Sequence, residues 1–349
     1  MKRKQKIFIT GATGFIGKHL VRKLIKQNYK IILFVRKTSN IKPFTNLNSK
    51  SKTKSKINIK YGNLTDKQSL TTAISKSKPD IVIHLAGVIH PTAVDDSFYY
   101  NNNVHATRHI AEICVKKKVK QMIYCSSVTC YGKVHDESIP IKEDYKCYGQ
   151  NIYGKTKYLA ELEVQKVCEN QNTQTKTKTQ YTIIRPARVY GPEDYTLIPL
   201  FKLVKKRLFF SVGRGLSYMQ PIYVDDLADL FISCMLNKKA YSQTYNAAGE
   251  DAITKKRFIS MIAKNLNIKP NKLYVPQNIA LFGARIIETI FKLFIKKEPL
   301  VSRKKLKFFI MSRKYNIDKA KQELNFKPKY DIQKGLDNMM TWCKENNLL

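Results

Sequence analysis

Acidic residues are scarce in this sequence, which has 26 Asp and Glu against 64 Lys and Arg and a formal net charge of +38. Arginine is scarce as well, with 12 residues against 52 lysines. Grooves that bind nucleic acid favour arginine because it forms bidentate hydrogen bonds. The basic residues here are mainly lysines, and they are spread along the whole chain. We therefore expect no specific nucleic-acid partner, and only a general attraction to anionic substrates or acidic lipid surfaces.

Long apolar runs and paired cysteines are also missing. No segment offers the roughly 20 uninterrupted apolar residues that a transmembrane helix needs. The seven cysteines form no CxxC pair and their number is odd, which indicates free thiols in a reducing compartment. The basic start at residues 1–6 precedes an apolar run that is too short for a signal peptide. These absences predict a cytoplasmic protein.

A glycine-rich segment, TGATGFIG, occupies residues 10–17. It follows an apolar run at residues 7–9 and precedes a helical pattern at residues 17–27, so it predicts a strand, a tight loop and a helix. In such a loop the glycines allow the turn, the approach of a phosphate and close packing of helix on strand. The N–H groups at the helix start then bind a diphosphate. We predict that a dinucleotide contacts Gly11, Thr13, Gly14, Phe15, Ile16 and Gly17.

Apolar runs alternate with helical patterns along the first half of the chain, and 43% of all residues are hydrophobic. Further strands are predicted at residues 31–36, 57–61, 80–85 and 121–126. This alternation predicts an α/β fold with a doubly wound parallel sheet of the Rossmann type. We assign residues 1–185 to a dinucleotide-binding domain. Residues 186–349 form mainly a smaller C-terminal substrate-binding lobe, from which some segments return to the first domain.

The end of the second predicted strand bears on the choice of cofactor. In dinucleotide folds this position meets the adenosine ribose, where an acid favours NAD and an arginine accommodates the extra phosphate of NADP. Here Val35 is followed by Arg36, with no acid nearby. We predict NAD(P) as the cofactor, with NADP favoured over NAD and Arg36 as a cofactor-binding residue.

Three residues carry the predicted chemistry. Tyr153 and Lys157 are four residues apart on a predicted helix, so both side chains project from one face. A phenol has a pKa of about 10, and a nearby ammonium lowers that pKa by favouring the phenolate. Ser127 follows a predicted strand at the sheet edge where ligands bind, and it can hydrogen-bond the same substrate oxygen. We predict Ser127, Tyr153 and Lys157 as the catalytic residues.

The chain as a whole resembles an extended short-chain dehydrogenase/reductase, the group called NAD-dependent epimerase/dehydratase. The resemblance runs nearly end to end and rests on TGATGFIG (10–17), GNLTD (62–66), HLAG (84–87), NNNVHAT (101–107), SSVTCYG (126–132), YGKTK (153–157), RPARVYGP (185–192) and IYVDDLA (222–228). It implies that Tyr153 is the acid/base, that Lys157 lowers the pKa of Tyr153 and binds the ribose, and that Ser127 orients the substrate oxygen. A homodimer formed by helix pairing is a further implication.

Further cofactor contacts are expected around this set. Asn63 stands where the family usually has aspartate, so an acceptor is kept and a charge is lost. The small residues Ala86 and Gly87 let the chain pass close to a flat cofactor. The full set of additional cofactor-binding residues is Asn63, Leu64, Leu85, Ala86, Gly87, Asn103 and Pro186.

The substrate is less well specified. Family 4,6-dehydratases carry an Asp-Glu pair directly after the catalytic hydroxyl residue, and Val128 and Thr129 stand there, which excludes dehydratase chemistry. Sugar-nucleotide epimerases usually place an arginine where this chain has Met219, so a UDP-sugar is disfavoured. Arg188 is the candidate substrate-binding residue, with Arg207 and Arg214 as others that could compensate.

These observations predict an NAD(P)-dependent oxidoreductase that moves a hydride between nicotinamide and the secondary alcohol or ketone carbon of a small-molecule substrate. A sugar-nucleotide 4-epimerase, in which the cofactor is reduced only transiently, remains open. So does a non-catalytic nucleic-acid-binding protein on the same scaffold. No metal is predicted, because His105 and His109 are four residues apart but no carboxylate or cysteine completes a ligand set.

Residues 276–297 form an amphipathic helical pattern in the C-terminal half, which is similar to the 3β-hydroxysteroid dehydrogenase and dihydroflavonol reductase branch. The apolar periodicity favours a helix that faces the core of the smaller lobe. The alternative is a peripheral membrane contact, because apolar residues beside basic ones suit an anionic bilayer surface.

Overall fold

Seven parallel strands form the central sheet of this computed structural model, which describes residues 4–27, 29–45, 57–89, 95–134, 136–171, 178–271, 273–291, 303, 306 and 310–349. The sheet strands are β1 (Lys6–Thr10), β2 (Lys30–Val35), β3 (Ile57–Tyr61), β4 (Ile81–His84), β5 (Gln121–Cys125), β6 (Gln180–Pro186) and β7 (Gln243–Ala247). Their spatial order is β7-β6-β5-β4-β1-β2-β3. The order reverses direction between β1 and β4, which is the arrangement of a doubly wound sheet. The predicted fold class is confirmed.

Helices connect these strands and cover both faces of the sheet. They are α1 (Phe15–Lys26), α2 (Lys67–Ser77), α3 (Asp96–Tyr99), α4 (Ala106–Lys116), α5 (Ile152–Glu169), α6 (Ile198–Lys205), α7 (Val224–Cys234), α8 (Lys255–Asn265), α9 (Gln277–Ile290), α10 (Asp318–Leu324) and α11 (Ile332–Glu345). Paired two-residue strands lie outside the main sheet: Val189–Tyr190 with Ile222–Tyr223, Tyr218–Met219 with Ile253–Thr254, and Ser211–Val212 with Tyr274–Val275.

The strands are continuous apolar runs because helices bury them from both sides. On one face, Leu24 of α1, Phe231 of α7 and Ala320 of α10 pack in a single apolar cluster against the sheet. On the other face, Leu70 of α2 and Ile110 of α4 belong to a second cluster, which also includes α5. The core of the Rossmann unit therefore contains helices from both halves of the sequence.

A smaller lobe packs around α6, α8 and α11. Its apolar cluster includes Phe201 of α6, Phe258 and Ile262 of α8, and Leu336 and Met339 of α11. The chain returns to the main sheet in β7, which pairs in parallel with β6. The predicted division at residue 185 stays a prediction.

The helix α9 does not face the core of the smaller lobe, as its apolar periodicity had predicted. Ala284 is its one buried residue among Gln277–Ile290, whereas Phe282 is 67% exposed and Ile279 is 61% exposed. The core-facing interpretation is therefore wrong for this part, because periodicity defines an apolar face but not what covers it. Residues 292–297 of the predicted helix lie outside the described part. None of the described helices is long and apolar enough to cross a membrane.

Candidate active site

The carboxyl ends of the parallel strands meet at one edge of the sheet, and most of the predicted site residues follow directly after them. The glycine loop follows β1, Arg36 follows β2, Asn63 and Leu64 follow β3, and Leu85 to Gly87 follow β4. Ser127 comes two residues after β5, and Pro186 ends β6. The fold thus brings together residues that are up to 175 positions apart in sequence, along a line that crosses the switch between β1 and β4.

The glycine loop leaves the start of α1 open. Gly14 is the N-cap residue of α1, it provides no side-chain cap, and the first turn has no acid. A Cβ atom at Gly11 would lie 2.6 Å from the backbone nitrogen of Ala86, and one at Gly17 would lie 2.3 Å from the Gly11 oxygen. Gly14 is exposed, and Thr13, Phe15 and Ile16 are half-buried beside it. These residues fit a bound diphosphate, because uncapped N–H groups at a helix start favour an anion.

The far end of this edge contains the residues predicted to meet the adenosine. Arg36 is exposed directly after β2. The Gly62 N–H donates to the Val35 carbonyl over 3.0 Å, which holds the loop after β3 beside Arg36. Asn63 is exposed, and its side-chain oxygen accepts a hydrogen bond from the Thr65 N–H over 3.3 Å. Leu64 is half-buried in the same loop.

Asn103 lies in a turn of π-helix, Tyr100–His105, that joins α3 to α4. Its buried amide accepts a hydrogen bond from the Val88 N–H over 2.8 Å and donates to the Val88 carbonyl over 3.1 Å. It also donates to the Thr156 hydroxyl of α5 over 3.2 Å. The structure thus gives Asn103 the role of positioning the segment after β4 against α5, and its direct contact with a cofactor stays a prediction. Turns of π-helix occur frequently at functional sites.

Ser127 and Tyr153 face each other between β5 and α5. Ser127 caps the short 3₁₀ turn Val128–Cys130, since its hydroxyl accepts hydrogen bonds from the Thr129 N–H over 3.2 Å and the Thr129 hydroxyl over 2.9 Å. Burial raises the pKa of Tyr153 above its ordinary value, and a hydrogen bond with Ser127 opposes that rise. Desolvation thus has a larger effect on the pKa of this phenol than its hydrogen bond, and the lowering of that pKa by Lys157 stays a prediction.

Lys157 is 3% exposed and lies one turn after Tyr153 on α5. Its Nζ donates to the Cys125 carbonyl over 2.5 Å and lies 4.1 Å from the centroid of the Tyr124 ring. Burial lowers the pKa of Lys157 to about 8. A Cβ atom at Gly87 would be 3.8 Å from this Nζ, so Gly87 and Lys157 lie side by side. The predicted catalytic residues therefore lie together, next to the segment after β4.

A buried, neutral histidine, His84, lies close to Lys157. His84, at the end of β4, is hydrogen-bonded through Nδ1 to the Thr10 hydroxyl over 2.6 Å and through Nε2 to the Thr107 hydroxyl over 3.0 Å. Burial, and then the charge of Lys157, lower the pKa of His84 to about 3. Its ring stacks on Tyr124 with centroids 5.6 Å apart. His84 thus joins the ends of β1 and β4 without adding a charge beside Lys157.

A buried ion pair that the sequence analysis did not predict holds α5 against the strands beside the site. Arg185 of β6 donates to Glu161 of α5 through Nη2 over 2.6 Å and through Nε over 3.0 Å. Glu161 also accepts a hydrogen bond from Ser126, the residue before Ser127. The Arg185 Nη1 atom donates to the Tyr131 hydroxyl over 3.0 Å. Helix α5, which presents Tyr153 and Lys157, is therefore tied to the ends of β5 and β6.

The predicted substrate residue Arg188 lines a small apolar pocket in the smaller lobe. Its Nη2 donates to Asp194 over 2.8 Å and to the Thr196 hydroxyl over 2.6 Å. The other lining residues include Met219, Lys255, Leu197, Phe258 and Ile259. Lys255 is 5% exposed, and burial lowers its pKa to about 7. Arg188 and Met219 thus line the same pocket, together with Lys255, which no sequence motif singled out.

A family model describes most of this chain. The model of the NAD dependent epimerase/dehydratase family matches residues 7–248, which include every strand of the main sheet except the first residue of β1. The chain belongs to this family. The prediction of an enzyme is thereby confirmed, and a nicotinamide dinucleotide is supported by the family description.

Individual relatives within the family have different activities. The chain is 28% identical over 98% of both chains to sterol-4-alpha-carboxylate 3-dehydrogenase, decarboxylating, of Candida albicans. It is 26% identical to 2-alkyl-3-oxoalkanoate reductase of Shewanella oneidensis, over 95% of this chain and 84% of the relative. It is 25% identical to N-acetyl-alpha-D-glucosaminyl-diphospho-ditrans,octacis-undecaprenol 4-epimerase of Escherichia coli O157:H7, over 96% and 94%.

The fold is shared with solved structures. UDP-glucuronic acid 4-epimerase from Bacillus cereus, in complex with NAD, superposes with a TM-score of 0.75 at 21% identity, covering 98% of this chain and 99% of that one. The described residues contain no group of three or more His, Cys, Asp and Glu that could hold a metal ion.

Proposed function

We propose that this enzyme interconverts a secondary alcohol and a ketone, as an NAD(P)-dependent dehydrogenase or reductase. The observation that supports this most directly is the placement of Tyr153 and the buried ammonium of Lys157 one turn apart on α5, with Lys157 bonded to the Cys125 carbonyl two residues before Ser127. A bound nicotinamide supplies or accepts the hydride. Ser127 orients the substrate oxygen, and Tyr153 gives its phenolic proton to that oxygen during reduction or takes the proton during oxidation.

Lys157 has two tasks in this proposal. Its ammonium holds a positive charge next to the segment after β4, where a cofactor ribose would lie. In the oxidation direction we expect it to favour the phenolate of Tyr153, whose pKa is raised chiefly by burial. The buried Glu161–Arg185 pair keeps α5 in place, so that both side chains stay aimed at the end of β5.

For the substrate we propose a 3-hydroxy or 3-oxo acid with a bulky apolar body. The names of two relatives, the sterol carboxylate dehydrogenase and the alkyl-oxoalkanoate reductase, both describe redox chemistry at the carbon β to a carboxylate. The pocket in the smaller lobe has apolar walls from Leu197, Phe258 and Ile259, and we propose it as the contact for one end of such a body. Arg188 lines the same pocket, and its guanidinium, which is paired with Asp194, is the group that we propose for the carboxylate.

The experiment compares 3-hydroxy acids of increasing apolar size with their methyl esters, each with NAD⁺ and NADP⁺, by the absorbance of the reduced nicotinamide. We expect turnover of the acids and a higher KM for the esters. Arg188→Met removes the guanidinium and should raise KM for the acid while leaving KM for the ester nearly unchanged. Equal turnover of acid and ester would contradict the acidic substrate, and no redox exchange with any alcohol or ketone would contradict the dehydrogenase.

A second candidate function is a 4-epimerase acting on a sugar attached to a diphosphate. It is favoured by the name of the Escherichia coli relative, although Met219 stands where the family's sugar-nucleotide epimerases usually have arginine. An epimerase regenerates its cofactor within each cycle. Tightly retained cofactor in the purified enzyme, and sugar inversion without net production of reduced nicotinamide, would favour this function.

We also propose NADP as the preferred cofactor. The exposed Arg36 follows β2 beside the loop at residues 62–64 and is available to pair with a ribose phosphate. For Arg36→Ala we expect affinity for NADPH to fall by about tenfold, the value of one exposed charge-assisted hydrogen bond, with affinity for NADH unchanged. Calorimetric titration measures both. The control is Lys37→Ala, which changes the exposed neighbouring residue. Equal losses of NADPH affinity in the two variants would indicate a general charge effect.

A peripheral membrane contact is our proposal for α9. Its apolar face, defined as Ile279, Phe282, Ile286 and Ile290, is between 45% and 67% exposed. Leu208, Phe210, Leu273 and Tyr274 are also exposed. They lie in adjoining segments, since Tyr274–Val275 pairs with Ser211–Val212. Exposed cations flank these side chains at Lys205, Lys206, Arg207 and Arg285. This combination of apolar and basic groups fits the surface of an anionic bilayer.

The prediction is that the protein sediments with vesicles of phosphatidylcholine and phosphatidylserine, and less with phosphatidylcholine alone. Phe282→Ser with Ile286→Ser should lower the partition coefficient at least about tenfold, since each buried side chain of this size contributes about 1.5–3 kcal/mol. Ile139→Ser, which removes a residue that is 62% exposed outside this face, should change nothing. Self-association that the double variant abolishes, without vesicle binding, would instead identify an interface between two copies.

A further inference from the structure

Two of the seven cysteines lie against each other beside the catalytic segment. The Sγ atoms of Cys130 and Cys147 are 3.7 Å apart, and both thiols are free. We propose that this pair is an oxidation site, at which a peroxide converts the two thiols into a disulfide. The proposal is independent of which substrate the enzyme takes.

The backbone holds the two cysteines in neighbouring segments. Tyr131 and Cys147 form an antiparallel bridge. The Cys130 carbonyl accepts hydrogen bonds from the N–H groups of Tyr148 over 3.1 Å and Gly149 over 2.8 Å. A disulfide requires an S–S distance of about 2.05 Å, so the sulfur atoms must approach by less than 2 Å from their present contact. Rotation of the side chains with a small movement of the 3₁₀ turn achieves this.

Access and charge distinguish the two thiols. Cys147 is half-buried, whereas the other six cysteines are buried. The two thiols are hydrogen-bonded to each other, and this contact, with the nearby Arg185 charge, lowers the pKa of Cys147. Burial raises the pKa of Cys130. Because the thiolate is the reactive form, Cys147 reacts first and Cys130 second.

The reaction with hydrogen peroxide balances in two steps. The Cys147 sulfur attacks one peroxide oxygen, an S–O bond forms, the O–O bond breaks, and water leaves after taking up the thiol proton. The Cys130 sulfur then attacks the sulfenic sulfur of Cys147, an S–S bond forms, and the S–O bond breaks to release a second water. The two cysteines lose two electrons, and the peroxide gains them.

The disulfide would act on the catalytic residues through the 3₁₀ turn Val128–Cys130. Cys130 ends the 3₁₀ turn that Ser127 caps, and Cys147 precedes the helix α5 that presents Tyr153. This turn contacts α5 closely, since a Cβ atom at Gly154 would lie 2.2 Å from the Thr129 oxygen. Drawing Cys130 toward Cys147 shifts Ser127 relative to Tyr153. A misplacement of about 1 Å can lower a catalytic rate about 10²-fold, so oxidation should inactivate the enzyme reversibly.

The test treats the full-length protein with hydrogen peroxide, blocks the remaining thiols and maps the unreduced peptides by mass. We expect one linked peptide pair joining Cys130 and Cys147, with the loss of two hydrogens, which dithiothreitol reverses. Cys147→Ser should abolish the linked pair. Cys343→Ser, which removes a buried cysteine in α11, should form it as the wild type does. Linkage through another cysteine, or a sulfinic acid at Cys147 with an unmodified Cys130, would overturn the proposal.

Hydrogen exchange provides a second readout that needs no substrate. In the oxidised protein we expect altered exchange in peptides that cover residues 126–132 and 146–155, with the remaining peptides unchanged. Exchange that is identical in reduced and oxidised protein, despite a formed disulfide, would overturn the proposed effect on Ser127 and Tyr153.

Discussion

Tyr153→Phe is expected to lower kcat/KM for alcohol–ketone interconversion by about 10²- to 10⁴-fold, the typical contribution of a positioned acid or base. The substitution removes the phenolic proton and keeps the aromatic ring on α5. Affinity for the dinucleotide should change little. Steady-state kinetics with a 3-hydroxy acid that the wild type turns over, together with calorimetric titration of the cofactor, separates the two effects.

Tyr158→Phe is the matched control, because Tyr158 lies five residues further along α5 and is also half-buried. It packs beside the apolar cluster of Tyr131 and Ile141. Its kcat/KM should stay within about twofold of the wild type, as expected for a hydroxyl outside the proton path. Full turnover in Tyr153→Phe would rule out Tyr153 as the acid/base.

Glu161→Gln should cost about 3–5 kcal/mol of unfolding free energy, because it leaves the buried guanidinium of Arg185 without its carboxylate. The side chains of this pair are 1% and 7% exposed, so water cannot replace the lost partner. Ser126 loses the same acceptor. Urea denaturation followed by circular dichroism measures the change, provided that the unfolding transition has a single step.

Two further variants sharpen this experiment. Glu163→Gln changes a partly exposed carboxylate on the same helix and should cost less than about 1 kcal/mol, as expected for a surface pair. Glu161→Gln with Arg185→Met removes both charges and should recover part of the loss. A Glu161→Gln variant as stable as Glu163→Gln would show that the buried pair contributes little to stability.

The sequence predicted the local parts of this molecule well, because they follow from backbone geometry. The glycine loop requires a strand before it and a helix after it, and β1 and α1 are there. The spacing of Tyr153 and Lys157 places both on one face of α5 in any helix. The apolar runs became buried strands because only a parallel sheet covered by helices on both faces buries such runs completely.

Contacts between distant segments could not be predicted in the same way. Nothing in the sequence pairs Glu161 with Arg185, since a single buried charge carries no information about its partner. Asn103 was selected by its motif, but its hydrogen bonds to Val88 depend on a turn of π-helix that has no clear sequence signal. The rise in the pKa of Tyr153 depends on burial, which spacing does not give. The periodicity of α9 likewise predicts an apolar face, but it does not show whether protein or lipid covers that face.

The last strand of the main sheet has a consequence for synthesis on the ribosome. β7 joins the sheet beside β6, yet it lies about 57 residues later in the chain, after α6 and α7. Until residue 247 has left the ribosome, β6 presents an open backbone edge, which is a site of aggregation. The nascent chain therefore exposes this edge from the time residue 186 leaves the ribosome until residue 247 does, and chaperone binding should be strongest in that interval of translation.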